Sequence, residues 1–261
     1  MSNILDTIAE AARERVSKSK ENISSDEMKA EALSLPKGDF GFEKALKREG
    51  MSFILECKKA SPSKGIIAED FPYLEIAKDY EKAGASAISV LTEPRWFKGD
   101  ISYLKKISET VDIPCLRKDF VVDEYMIYEA KVSGASAVLL ICSILDEKTL
   151  KEYIGICDEL GLSALVEAHD ETEVQMALRS GARVIGVNNR DLKDFTVDPL
   201  NCLRLRKDIP EDIVFVAESG VKTAEDIRRL QDNKVNAVLI GESVMRSQDK
   251  SAFIKELKRL I

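Results

Sequence analysis

Lysines and glutamates stand at the downstream ends of several short apolar runs in this chain, where a buried acid–base site would need them. In ILECKKASPSKG, Ile54 to Gly65, an apolar half gives way to a loop composition. Extended backbone alternates faces, so Glu56 and Lys58 share one face and Cys57 takes the other. An acid and a base at the end of a buried strand are costly unless paired or used. One such pair is equally well explained as an ion pair capping a strand, but the arrangement recurs. PCLRKDF carries Lys118 and Asp119, SALVEA ends on Glu167, and VIGVNN ends on Asn188 and Asn189 before Arg190. By parity Leu116 shares a face with Lys118, Leu165 with Glu167, and Gly186 with Asn188, while Phe215 and Ala217 go with Ser219. Each of these sets is expected to point inward, with its last member at a common mouth. Lysines and glutamates gathered there perturb one another's pKa values. A desolvated lysine then suits proton donation to a developing oxyanion, and a glutamate suits proton abstraction.

A second signal lies in the last two runs. AESGVKTAEDIRRL places Ser219 and Gly220 at a strand end, with Thr223 as an N-cap and Asp226 three residues on. GESVMR places Gly241, Glu242 and Ser243 before another helix. Backbone amides in two such loops make a phosphate cradle, and Ser61, Ser63 and Lys64 could close it from the first loop. Together they favour a phosphorylated ligand. Trp96, Phe97 and Phe120 fall in loops near the mouth, available either to stack on a ring or to pack. His169, the only histidine, is expected on a surface loop.

Eight runs have to position these groups: 52–57, 87–92, 114–120, 137–142, 163–168, 184–189, 214–219 and 237–242. Helical periodicity follows each, and runs apolar on both faces belong to a parallel sheet covered on both sides. GASAISVL at 84–91 and GASAVLLI at 134–141 are near copies, with looser echoes at GARVIGV (181–187) and NKVNAVLI (233–240). Each echo puts a Gly or Asn where a helix must end before a strand begins. Eight βα units predict an α/β fold of the (β/α)8, or TIM, barrel type, with a doubly wound open sheet as the rival. Neither GxGxxG after the first strand nor GxxxxGK[ST] is present. Upstream, Ile4, Ile8, Ala12 and Val16 recur every four residues, and further helices are predicted to Leu35 and over Phe42 to Arg48. Residues 1–50 are therefore expected to be a helical extension packed on a barrel of residues 51–261.

A net charge of -7 argues against a general nucleic-acid or anionic-membrane binder, so any anion must be held by local groups. No apolar run approaches a membrane span, and MSNILDTIAEAARERV lacks a signal core. Cys57, Cys115, Cys142, Cys157 and Cys202 form no CxxC and are expected as reduced packing residues in the cytoplasm. A single histidine leaves no His-rich metal site. The scarcity of exposed apolar stripes suggests a monomer.

ILECKKASPSKG, TEPRWFKGD, PCLRKDFVVDEYMIYEA, LVEAHD, GVNNRDL, AESGV and GESVMR together resemble the indole-3-glycerol-phosphate synthase family, from Ile54 to Arg246. That resemblance implies ring closure of 1-(2-carboxyphenylamino)-1-deoxyribulose 5-phosphate with loss of carbon dioxide and water, in tryptophan biosynthesis, without metal or redox cofactor. It implies Lys118 as general acid, Lys58 as the partner of the substrate carboxylate with a part in dehydration, and Glu167 as general base. It further implies Asn188 as an orienting amide, Glu56 as the carboxylate that positions the lysines, and Ser219 as a substrate contact. Ser61, Gly220, Gly241 and Glu242 match phosphate-binding positions, and Arg190 an arginine near the mouth. Asp100 stands where some members have Ser, a departure confined to a loop. From the residues alone, a Schiff-base lyase using Lys58 or Lys118, a sugar-phosphate isomerase and a non-catalytic phosphometabolite sensor all stay open.

Overall fold

Eight parallel strands pair edge to edge until the last meets the first. In the computed structural model, which describes residues 4–191 and 195–261, these are β1 (Ser52–Cys57), β2 (Ala87–Leu91), β3 (Cys115–Lys118) and β4 (Ala137–Ile141), followed by β5 (Ser163–Ala168), β6 (Val184–Asn188), β7 (Val214–Glu218) and β8 (Ala237–Ile240). Going round the closed barrel from β1 the order is β8, β7, β6, β5, β4, β3 and β2. The rival open sheet is thereby excluded. Closure leaves no unpaired edge, and the register sets β1 Glu56 beside β2 Ser89 and β6 Asn188 beside β7 Glu218.

Ile54, Leu116, Leu165, Val184, Val216 and Leu239 fill the barrel interior. The opposite faces, with Leu55, Val138, Val166, Phe215 and Val238, meet the surrounding helices in a second, larger core. All five cysteines are free and buried.

The helix-to-strand echoes share one turn. Gly84, Gly134 and Gly181 have φ of 80–87°, and the next residue's amide reaches back to the helix, as Ala85 N to Tyr80 O at 3.0 Å and Ala135 N to Ala130 O at 2.9 Å. The fourth echo differs from expectation. Asn233 stays at φ -99°, and Lys234 takes the left-handed position with φ 57° while Val235 N reaches Leu230 O at 3.1 Å. A side chain is strained there, so the backbone geometry rather than the residue type is what the four turns share.

Three helices precede the barrel: α1 (Ile4–Asn22), α2 (Ser25–Ser34) and α3 (Gly41–Leu46). Ser24 caps α2 in a capping box with Glu27. α3 lies against the N-terminal ends of the strands, where Glu43 N donates to Ser163 Oγ at 3.1 Å and Ser52 Oγ to Ala45 O at 3.3 Å. Phe42 and Leu46 are fully buried and join the interior core from below. α1 crosses the opposite end. Its Leu5, Ile8 and Ala12 join the same core alongside Phe120, and Arg15 bonds Asp119 just past β3 at 2.7 Å. Among the described residues, no helix is long and apolar enough to cross a membrane.

Candidate active site

At the C-terminal ends of the strands the interior turns from apolar to ionisable. β1 delivers Glu56, and Lys58 follows it on the same face with Nζ 2.6 Å from Glu56 Oε1. β3 delivers Lys118, whose Nζ lies 3.2 Å from Glu167 Oε2 on β5 and 3.3 Å from Glu218 Oε2 on β7. From β6, Asn188 completes the group. Its Oδ1 accepts the Arg190 backbone amide at 3.0 Å, and its side chain also hydrogen-bonds Glu167. Both Glu167 and Glu218 are almost fully buried.

Two glycines make room for these carboxylates. A Cβ on Gly186 of β6 would sit 2.2 Å from Glu218 Oε1, and one on Gly241 would sit 2.3 Å from Glu56 Oε1 and 2.8 Å from Lys58 Nζ. No side chain fits at either position without displacing the acid.

The electrostatics divide the two carboxylates that face Lys118. Burial opposes ionisation of Glu167, yet the charges of Lys118 and His169 and hydrogen bonds from Lys118 and Asn188 hold its pKa below the ordinary value. Glu218 is pushed up to about 8 by burial and by repulsion from Glu167, against the pull of Lys118. Burial also disfavours charge on Lys118, but Glu167, Glu218 and Glu56 outweigh it and raise its pKa. At neutral pH the cluster holds an ammonium, a carboxylate at Glu167 and a mostly protonated Glu218. Paired acids with separated pKa values are the signature of assigned acid and base roles.

On β7 the expected parity is reversed. Val214 and Val216 face the interior while Phe215 and Ala217 pack outward, so Glu218 reaches the mouth in place of Ser219. Ser219 and Gly220 instead turn the chain, with φ of 65° and 83°, and Ser219 O accepts Asn189 Nδ2 at 3.0 Å. His169 is likewise not a surface loop residue. Its ring is mostly buried, with Nε2 3.4 Å from Glu167 Oε1 and Nδ1 3.0 Å from Glu173 Oε2.

The other expected residues lie around this centre. Ser61 is buried on a two-residue strand, Ala60–Ser61, that pairs with Gly65–Ile66, and Lys64 at the hairpin's tip is exposed. Ala60 N donates to Phe97 O at 3.2 Å, and the Phe97 and Phe120 rings pack 6.2 Å apart below α1. Arg190 is tied to its own loop through Phe195 O at 3.1 Å. Gly241 precedes the short helix Glu242–Arg246, in which Glu242 bonds Arg246 at 3.3 Å and Ser243 is half-buried. Thr223 caps Ala224–Asp232 in a capping box with Asp226, as its spacing predicts. Asp100 caps Ile101–Ser108 by accepting Ser102 N at 2.8 Å.

Thr92, Glu93 and Asp119 stand apart from the lysine cluster. Glu93 accepts the backbone amides of Arg95, Trp96 and Phe97, fixing that loop. Asp119 takes Thr92 Oγ1 at 2.6 Å, Arg15 and the buried Arg117. Their work is to hold loops and α1 in place. Among the described residues, no group of three or more His, Cys, Asp or Glu is placed to hold a metal ion.

The closed barrel and a lysine–carboxylate cluster at its strand C-termini define a class, the (β/α)8-barrel enzymes of acid–base chemistry. Solved structures agree on the fold: a 3-hexulose-6-phosphate synthase superposes with a TM-score of 0.64 at 18% identity, covering 81% of this chain and 100% of that one. The family profile described as indole-3-glycerol phosphate synthase matches residues 5–257. The indole-3-glycerol phosphate synthase of Ruminiclostridium cellulolyticum is 57% identical over 98% of both chains. That of Endomicrobium trichonymphae is 53% identical over 98% of this chain and 99% of its own. The chain belongs to the indole-3-glycerol phosphate synthase family.

Proposed function

We propose that this chain closes the indole ring of its family's product, converting 1-(2-carboxyphenylamino)-1-deoxyribulose 5-phosphate to indole-3-glycerol phosphate, carbon dioxide and water. The observation that carries this reading is Lys118 held between an ionised Glu167 and a largely neutral Glu218, with a second lysine, Lys58, in reach of the same mouth. Lys58 pairs with the anthranilate carboxylate, and Glu56 aims it. Lys118 protonates the ribulose C2 carbonyl oxygen as the aryl carbon bearing the carboxylate attacks C2, which forms the new carbon–carbon bond. Carbon dioxide then leaves and its bonding electrons restore the aromatic ring. In the last step Glu167 takes a proton from the former C1 methylene, and the hydroxyl on C2 departs as water with a proton from Lys58. Asn188 keeps Glu167 oriented, and Glu218 passes a proton within the Lys118 pair.

The phosphate sits over the loops after β7 and β8, held by backbone donors at Gly220, Gly241, Glu242 and Ser243, with Ser219 and Ser61 beside it and Arg190 at the rim. Phe97 and Phe120 flank the anthranilate ring. The N-terminal extension covers the two ends of the barrel through α1 and α3, and the barrel carries the chemistry. The protein works as a monomer in the cytoplasm on a small phosphorylated substrate, without nucleic acid. The five free buried thiols suit a reducing compartment.

The test is turnover of the anilino-ribulose phosphate by Lys118→Ala and Glu167→Gln proteins. Each is expected to lose roughly 100-fold or more in kcat. Borohydride treatment with a ketose phosphate is expected to leave both lysines unmodified, and a covalent adduct on either would favour the Schiff-base lyase instead.

A further inference from the structure

His169 is the one imidazole in the chain, and nothing in the ring-closing scheme above uses it. It sits two residues past Glu167, where β5 gives way to the helix Glu171–Arg179. Glu173 on that helix fixes it twice, since Glu173 Oε2 accepts both the His169 backbone amide at 2.8 Å and ring Nδ1 at 3.0 Å. Asn201 Nδ2 holds its carbonyl at 3.0 Å. With Nδ1 committed to a carboxylate, Nδ1 carries a proton and Nε2 is the atom left to act. That atom is buried without a hydrogen bond, and Glu167 Oε1 lies 3.4 Å from it.

Glu167 is thus flanked on both oxygens, by Lys118 at Oε2 and by His169 at Oε1. The titratable groups facing the ring are Glu167 from its own strand, Glu173 from the following helix and Glu218 from β7, the last mostly protonated at neutral pH. All are acids. Lys118 lies beyond Glu167, on its other oxygen.

We propose that His169 is a positioning residue for the general base: clamped by Glu173, its imidazolium presents Nε2–H to Glu167 Oε1 and keeps that carboxylate ionised and aligned with Lys118. The proposal rests on the reading of Glu167 as base. A helix-start role for Glu173 alone would need its bond to the His169 amide but would not need the ring turned towards Glu167. The separation of 3.4 Å is slightly long for a hydrogen bond and is expected to shorten once substrate orders the mouth. The charge balance of the surroundings agrees. Burial works against a charged imidazole, but the hydrogen bond that Nδ1 donates to Glu173 and the negative charges of Glu167 and Glu173, with a smaller share from Glu218, raise its pKa to about 9.

Because the histidine is unique, carbon-13 and nitrogen-15 imidazole resonances of the full chain report on it alone. The wild-type ring should titrate well above an ordinary histidine, with its midpoint falling by about one pH unit or more in Glu167→Gln and in Glu173→Gln. Kinetically, His169→Asn should move the acidic limb of the pH–kcat profile upward by about one unit, giving roughly tenfold slower turnover on that limb and a smaller loss on the plateau. Glu173→Gln should shift the limb the same way by less. A purely structural histidine would lower kcat by one factor at every pH and leave the limb in place. The proposal is overturned if the imidazole midpoint is unmoved by Glu167→Gln, or if the His169→Asn profile keeps the wild-type shape. Failure of the base assignment shows separately, as near-normal turnover by Glu167→Gln, while the imidazole titration still reports whether the two side chains pair.

Discussion

Lys118 faces two carboxylates, and at neutral pH its single charge holds only one of them ionised. Buried acids this close repel, so one keeps its proton, and Lys118, the neighbouring His169 and the Asn188 hydrogen bond together favour Glu167 as the one ionised. Space matters as much as charge. Glu218 fits only because Gly186 lacks a Cβ, so Gly186→Ala should push Glu218 away from Lys118. We expect it to fold, since the added methyl meets the end of a side chain, but to lose at least about tenfold in kcat, checked by turnover beside a melting curve. At this scale the sequence is informative where one face of a run ends in a charge, as with Leu116 and Lys118 or Leu165 and Glu167. It is uninformative in VFVAES, where both faces are apolar and the parity depends on where the strand stops. The left-handed Ser219 ends β7 one residue early and gives the mouth to Glu218. His169 carries a local signal, since it shares strand parity with Glu167 and stands four residues before Glu173, but it lies just past the apolar run and so reads as loop.

The elements divide their work by barrel end. α3 closes the N-terminal end with Phe42 and Leu46, far from the lysines, while α1 crosses the C-terminal end and is pinned by Arg15 to Asp119. Leu46→Ala should therefore cost about 2–5 kcal/mol of stability through the cavity it leaves. Denaturant unfolding measures that loss, and kcat and KM of the folded fraction should stay near wild type. A matching loss of kcat would mean the bottom of the barrel is coupled to the site. The strands, α1, α2 and the helix Ala224–Asp232 are legible from periodicity and caps, because apolar runs, Ser24 and Thr223 carry local instructions. That α3 and α1 seal opposite ends is not legible, since both are simply amphipathic until the barrel gives them something to cover. The turn at Lys234 shows the same limit: three glycines mark the rule, but the fourth turn obeys it with a lysine.

Over the whole molecule, net charge is -7, yet two ammonium groups, Lys58 and Lys118, gather at the mouth, each paired with a carboxylate. Strands far apart in sequence converge there because parallel strands in a closed barrel all end at the same face. That convergence performs one decarboxylative ring closure in the proposed reaction. Its most direct test follows wild-type protein with 1-(2-carboxyphenylamino)-1-deoxyribulose 5-phosphate, measuring indole absorbance and released carbon dioxide together. Both are expected to appear at equal rates, one carbon dioxide per indole ring. Substrate that binds and is recovered unchanged, or an indole signal without matching carbon dioxide, would contradict it.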